Sequence, residues 1–153
     1  MKKLSLYLLM MAIGLITYSQ KIDKSQVPES VKKMYEIKMN DTLSPAWEKV
    51  GTNFQASLSK GELKATVLIN DRAEWQKTVW EMPYQYVPQK IKDNIAKSYE
   101  GFKVIKSSIQ YRTDGDYYVF ETKKKKLTQI LDYDLKGDFI KIETPAEIKK
   151  EKK

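Results

Sequence analysis

The segment LKATVLI, residues 63–69, is matched 64 positions later by LTQILDY, residues 127–133, where Leu63, Val67 and Ile69 correspond to Leu127, Leu131 and Tyr133. In the first segment every second residue is apolar, which is the pattern of a half-buried β-strand, and the second segment keeps this pattern except at Gln129. Residues of matching type continue on both sides at the same offset, as in Tyr35 with Tyr99 and Trp75 with Phe139. An internal repeat of this kind predicts two similar structural units.

Each unit is predicted to begin with a helix. Val27-Pro28 and Val87-Pro88, 60 positions apart, each precede an apolar stripe at helical spacing, and proline is tolerated at the first turn of a helix. Alternating segments then predict strands. In the first unit they include residues 54–58, 63–69 and 75–82, and in the second unit 103–111, 116–122, 127–133 and 139–143. Turn residues separate them, as in Thr113-Asp114-Gly115-Asp116.

The fold class predicted from this pattern is α+β, with two tandem helix-plus-antiparallel-sheet repeats and the helices packed on one face of the sheet. The predicted boundaries are a signal peptide at 1–19, an N-terminal linker at 20–26, a first repeat at 27–82, a connector at 83–86, a second repeat at 87–143 and a disordered basic tail at 144–153.

Each unit has Val-Pro, a helix ending in an aromatic residue, an aromatic-led hairpin, and then Asn or Asp, a turn and an aromatic residue, as in Asn70–Trp75 and Asp134–Phe139. This pattern over residues 27–143 resembles the PepSY-like, β-lactamase-inhibitor-like secreted proteins of Bacteroidetes-type bacteria. The resemblance implies two tandem helix-plus-sheet units, export and no established reaction. The second unit departs from the pattern, because Tyr111 and Phe139 stand where the first has tryptophan. Inhibition of a β-lactamase is not implied, since no inhibitory loop can be matched residue by residue.

The first twenty residues have the features of an export signal. Lys2 and Lys3 precede an apolar run from Leu4 to Ile16, which is shorter than the ~20 residues that a membrane-spanning helix needs. Thr17-Tyr18-Ser19 then supplies small residues for a signal peptidase, so we expect cleavage before Gln20 and a periplasmic or secreted protein without an integral membrane segment. The alternative is an N-terminal buried helix.

Composition excludes several classes of chemistry. The chain of 153 residues has no cysteine and no histidine, which excludes disulfides, thiolate or imidazole zinc sites and every Ser-His or Cys-His catalytic pair. The net charge is +8, and the lysines are scattered among carboxylates rather than gathered on one helix. An exported protein of this kind is a poor candidate for binding nucleic acid. No phosphate-binding glycine loop is present and no cofactor is predicted.

One acidic spacing approaches a calcium loop. Asp132, Asp134 and Glu143 occupy positions one, three and twelve, with Gly137 at position six. Lys136 at position five places a cation where a ligand oxygen should be. Because the flanks alternate as strands, we interpret the segment as a polar hairpin turn without a metal. Four carboxylates in or beside predicted hairpin turns, Asp114, Asp116, Asp132 and Asp134, are expected to be exposed and not catalytic.

A binding surface is the favoured functional interpretation. The strand alternation places a set of apolar side chains on the sheet face away from the helices, namely Leu68, Trp80, Tyr117, Val119, Ile130, Ile140 and Ile142. Trp80 and Tyr117 are the expected anchors. The same alternation turns Lys141 towards the helices, so a reversed last strand, or termini covering this face, remains an alternative.

We therefore predict an exported non-enzymatic module that binds or inhibits another envelope or secreted protein or peptide. The alternative function is an envelope structural protein, or one that sequesters a small ligand or lipid without a specific protein target. A calcium-dependent or carboxylate-dependent hydrolase is a third hypothesis, which needs a cleft that the repeat does not supply.

Overall fold

A computed structural model describes residues 19–39 and 44–143. The predicted signal peptide, apart from Ser19, and the predicted tail lie outside these residues. The elements are α1 (Glu29–Met39), α2 (Gln89–Ser98), β1 (Ser19–Ile22), β2 (Ala46–Val50), β3 (Asn53–Lys60), β4 (Leu63–Asn70), β5 (Trp75–Glu81), β6 (Lys103–Arg112), β7 (Gly115–Lys124), β8 (Leu127–Asp134) and β9 (Phe139–Glu143). Within the described ranges, no helix is long and apolar enough to cross a membrane.

The nine strands form one antiparallel sheet in which every strand pairs with its neighbours in the chain, from β1 to β9. Residues 19–39 and 44–143 are thus an antiparallel sheet with two helices. Short 3-10 helices at Lys24–Gln26 and Tyr84–Tyr86 precede α1 and α2, and each ends immediately before a Val-Pro pair. β4 and β8 have the same length and begin at Leu63 and Leu127.

Each helix packs against strands through a separate core. Val31 and Tyr35 of α1 belong to a buried cluster with strand residues, and Tyr35 meets the Trp47 ring edge-on at 5.6 Å. Ile91 and Ile95 of α2 belong to a second cluster. The strand members are Trp47, Phe54, Ala56, Val67 and Ile69 in the first cluster, and Phe120, Leu131 and Tyr133 in the second.

The strand register shows that both cores lie on the same side of the sheet. Directly paired residues share a face, and one row of partners crosses the sheet through Ala65, Trp80, Ile109, Tyr118 and Tyr133. We call this side the helix face. The other side, the open face, contains two comparable rows: Thr66, Val79, Gln110, Tyr117 and Asp134, and Glu81, Ser108, Val119, Asp132 and Lys141.

The N-terminal segment is more ordered than predicted. Residues 20–26, predicted as a linker, contain most of β1 and a 3-10 helix capped by Asp23, whose side chain accepts from the Ser25 N–H at 2.8 Å. The alternation did not reveal β1 or β2, since both are short and do not alternate regularly: Lys49 lies on the helix face, whereas Ala46 and Val50 lie on the open face. The predicted cleavage before Gln20 would leave Gln20–Ile22 of β1, which pair with β2.

Three β-bulges interrupt the alternation. Each leaves one residue without a direct partner: Gln76 in β5, Ile105 in β6 and Ile140 in β9. A bulge adds one residue to one strand, so the residues beyond it change face relative to a strict alternation. The bulges therefore decide which side chains the open face presents.

Candidate functional site

A cavity of about 950 Å³ lies on the open face. Its lining comes from the adjacent strands β4 to β8 and from the loops at their ends. Because residues of five neighbouring strands line one space that stays open to solvent, the open face is concave at this point. The lining residues that the argument uses are Val79, Val119 and Ile130, which are apolar, and Glu62, Lys64, Glu81, Lys106 and Glu121, which are charged.

The lining mixes apolar side chains with polar and charged ones, since Ser108 and Gln110 of β6 lie between Val79 of β5 and Val119 of β7. Val119 is 6% exposed, and Val79 and Ile130 are half-buried. Lys64 Nζ lies 3.7 Å from Glu81 Oε2, and both side chains remain more than half exposed. Apolar side chains interspersed with polar and charged groups are typical of surfaces that recognise another molecule. The cavity therefore has the composition of a binding site.

The segment between β5 and α2 closes one end of the cavity. The Met82 N–H donates to the Ser107 carbonyl at 3.0 Å, and the Ser107 hydroxyl donates to the Met82 carbonyl at 2.5 Å. The Tyr84 ring meets Phe120 edge-on at 6.4 Å, and burial raises the pKa of the Tyr84 hydroxyl. These contacts hold the segment against β6 and the second core, so this wall is preformed.

A hydrogen-bonded charge cluster lies beside the cavity on the open face. Arg112 Nη1 donates to Asp132 Oδ2 at 2.7 Å, and its Nε and Nη2 donate to Gln110 Oε1 at 3.1 and 3.0 Å. Gln110 donates in turn to the Ser108 hydroxyl at 3.3 Å. Asp132 is 1% exposed, so its charge depends on Arg112 for compensation.

Lys141 adds a second cation to this cluster. Its Nζ lies 3.9 Å from Asp132 Oδ2 and 2.5 Å from Glu143 Oε1. The hydrogen bond to Glu143 raises the pKa of Lys141, and burial opposes that shift. Two cations thus face two carboxylates, which makes the cluster neutral and suited to fixing the strands rather than to acid–base chemistry.

Four of the predicted binding residues lie on the open face. Val119 and Ile130 line the cavity. Tyr117 is half-buried, with the Arg112 guanidinium 5.1 Å from its ring centre. Leu68 is half-buried opposite Lys77. Polar residues separate these side chains along each row, so they do not form the continuous apolar patch that the sequence predicted.

The prediction for Trp80 is wrong, because its register partners Ala65 and Ile109 place it on the helix face. The bulge at Gln76 reverses the alternation after Trp75. The bulge at Ile140 has the same effect in β9. Ile142 pairs with Leu131 on the helix face, Lys141 pairs with Asp132 on the open face, and Ile140 has no direct partner.

The three carboxylates with calcium-like spacing do not converge. Asp134 Oδ1 accepts from the N–H groups of Lys136 and Asp138 at 2.9 and 2.8 Å, as in a polar hairpin turn. Asp132 is buried against Arg112, which contradicts its expected exposure, and Glu143 pairs with Lys141. In the part of the chain that the structure describes, no group of three or more acidic side chains could hold a metal.

Sequence reasoning missed Arg112, Gln110 and Val79. Arg112 is the last residue of β6, and its partner Asp132 lies in β8. Only the alternation of Ser108, Gln110 and Arg112 through β6 could have indicated a polar row on one face. Their pairing with Asp132 depends on strand register, which that pattern does not contain.

Comparisons with known proteins identify the fold. A BLIP-like protein from Bacteroides fragilis has a TM-score of 0.67 at 14% identity, with 77% of this chain and 86% of that chain covered. A DUF2874 family protein from Bacteroides ovatus has a TM-score of 0.65 at 14% identity, covering 76% and 86%. A candidate periplasmic protein from Bacteroides eggerthii has a TM-score of 0.64 at 15% identity, covering 77% and 88%.

No family model matches the sequence, and no curated protein matches it either. The resemblance to β-lactamase-inhibitor-like proteins therefore holds at the level of the fold.

Proposed function

We propose that this chain is an exported, non-enzymatic module that binds a segment of another envelope or secreted protein in the cavity of the open face. The observation that carries this proposal is the cavity, in which apolar side chains lie among polar and charged ones. Export is supported by the signal-like N-terminus and by the fold that it shares with a candidate periplasmic protein.

The charge of the lining favours a neutral or basic segment. The chain as a whole has a net charge of +8. The cavity nevertheless has three glutamates, at positions 62, 81 and 121, against two lysines, at positions 64 and 106. Complementary charge guides association and selects partners. We therefore expect the bound segment to combine an apolar side chain, for contact with Val79, Val119 and Ile130, with a basic side chain, for contact with the glutamates.

The proposal includes the organisation of the chain. A signal peptide is removed before Gln20, two PepSY-like units occupy residues 27–82 and 87–143 as a tandem duplication, and residues 144–153 form a basic tail. Two features support the duplication: a 3-10 helix precedes Val-Pro in each half, and β4 and β8 are equal in length.

Site-directed photo-crosslinking in the periplasm of the native host tests the proposal. A photoreactive residue at Val79, inside the cavity, should capture one specific protein, whereas the same residue at Ile37, 72% exposed on α1, should not. With the captured protein purified, Val79→Lys should weaken binding at least about tenfold while Ile37→Lys leaves it unchanged. Equal capture at both positions, or unchanged binding by Val79→Lys, would contradict the proposal.

The cavity volume supports a second candidate function. About 950 Å³ falls within the range of pockets that hold small molecules, so the chain could instead sequester a small ligand or lipid. Native mass spectrometry of the protein purified from its host distinguishes the two candidates. A mass increment that Val79→Lys removes would favour the small ligand, and the bare mass would favour the protein partner.

A further inference from the structure

The last strand, β9, is an exposed edge of the sheet. Among the strands that the structure describes, it pairs with β8 alone. Three of its residues are large apolar side chains that stay exposed: Phe139 at 42%, Ile140 at 48% and Ile142 at 40%. An edge strand presents unpaired N–H and C=O groups, and apolar residues on it favour pairing with another strand.

The sequence of β9 is complementary to itself in one antiparallel register. When Ile142 lies opposite Ile142 of a second copy, Lys141 of each copy lies opposite Glu143 of the other. Lys141 and Glu143 both project from the open face, since their partners Asp132 and Ile130 do. Opposite charges in directly opposed positions stabilise a strand pair.

Neighbouring symmetric registers are less favourable. Centring the pair on Lys141 opposes two lysines, and centring it on Glu143 opposes two glutamates; like charges in this position are destabilising. Centring it on Ile140 uses the bulge residue, which has no regular partner in its own sheet. The Ile142 register alone among these combines two opposite-charge pairs with an apolar contact.

We propose that β9 is a self-association surface, through which two copies of this chain form a twofold symmetric dimer centred on Ile142. The sheet then continues from one copy into the other, and the same faces of both copies point in the same direction. The two open faces therefore stand side by side, which would let one dimer engage two segments of a partner. The edge is short, so the dimer is expected to be weak, with a Kd of about 10 µM to 1 mM.

Sedimentation of the full mature chain over this concentration range tests the association. A concentration-dependent dimer is expected for the parent chain, and Ile142→Lys should raise its Kd at least about tenfold. Ile37→Lys, which adds the same charge on α1, is the matched control and should leave the dimer unchanged. Melting temperatures of both variants establish that they are folded. A parent chain that stays monomeric up to about 1 mM, or a dimer that survives Ile142→Lys, would overturn the proposal.

Disulfide trapping tests the register. The chain has no cysteine, so a single introduced cysteine can react only with another copy. Ile142→Cys should oxidise to a covalent dimer at least about tenfold faster than Glu143→Cys, because the side chains at position 142 face each other while position 143 faces position 141. Ile37→Cys measures the rate of random collision. A faster reaction at position 143, or a rate at 142 no higher than at 37, would contradict the proposed register.

Discussion

Asn70 and Asp134, the last residues of β4 and β8, hold two turns of the same geometry. Each side-chain Oδ1 accepts from the backbone N–H groups two and four positions further along the chain, at 3.0 and 2.8 Å for Asn70 and 2.9 and 2.8 Å for Asp134. In both turns the third residue after the cap has a positive φ, +60° at Ala73 and +82° at Gly137. The two turns therefore have different residues at the cap and at the positive-φ position, but the same pattern of side-chain to backbone hydrogen bonds.

These two left-handed positions should differ in their response to substitution. Gly137→Ala is expected to destabilise the protein by about 2 kcal/mol, because alanine is strained at positive φ and its Cβ would lie 3.2 Å from Cγ1 of Ile91. Ala73→Gly removes such strain, so we expect a stability within about 1 kcal/mol of the parent. Urea unfolding measures both. Equal losses for the two variants would show that backbone strain does not control these turns.

The buried charge of Asp132 should make Arg112 important for stability. Arg112→Met leaves Asp132 without its closest cation, and we expect a loss of about 3 kcal/mol in the free energy of unfolding. Adding Asp132→Asn to that variant removes the uncompensated charge and should recover part of the loss. The exposed pair of Lys90 and Asp138, at 2.6 Å, is the control, and Lys90→Met should cost less than about 1 kcal/mol. Similar costs for the two single variants would contradict the burial argument.

Trp80 and Tyr117, expected from the sequence to act together as binding anchors, should separate in experiment. Trp80 lies on the helix face between Ala65 and Ile109, so Trp80→Ser is expected to destabilise the protein by about 2 kcal/mol. Tyr117 is half-buried on the open face, and Tyr117→Ser should cost about 1 kcal/mol or less. Thermal unfolding measures both. A larger loss for Tyr117→Ser would reverse the assignment of faces.

The contrast between Trp80 and Val119 shows what the sequence could predict. Alternation through β7 has no interruption, and Val119 was correctly assigned to the open face. The bulge at Gln76 inserts one residue between Trp75 and Trp80. Because Gln76 is polar, the insertion cannot be recognised from the alternation of apolar and polar residues in the sequence. A sequence therefore predicts the existence of these strands better than the face of any residue that follows a bulge.

The candidate site was less predictable than the fold. The cavity depends on the curvature and register of five strands, and the cluster of Arg112 with Asp132 joins residues in β6 and β8. Neither feature follows from local periodicity. Turns are different, because Asn70 and Asp134 make their hydrogen bonds to near neighbours in the chain, so short sequence segments such as these specify them directly.

Tyr133 should make the protein sensitive to alkali. Its ring is fully buried, its hydroxyl donates to Asn94 Oδ1 at 2.8 Å, and burial raises its pKa above the ordinary value of 10. Above pH 10 the unfolded chain therefore loses a proton that the folded chain keeps. The free energy of unfolding should fall by up to about 1.4 kcal/mol per pH unit for this group, and the stabilisation is complete below pH 10.

Tyr133→Phe separates this linkage from the hydrogen bond. At pH 7 the variant should lose about 1 kcal/mol, because Asn94 loses its donor. Between pH 10 and 12 its stability should fall less steeply than that of the parent, since one ionising group has been removed from the unfolded state. Tyr111→Phe is the control for an exposed ring, as Tyr111 is 38% exposed. Equal slopes for Tyr133→Phe and the parent would mean that Tyr133 ionises as readily in the folded protein as in the unfolded chain.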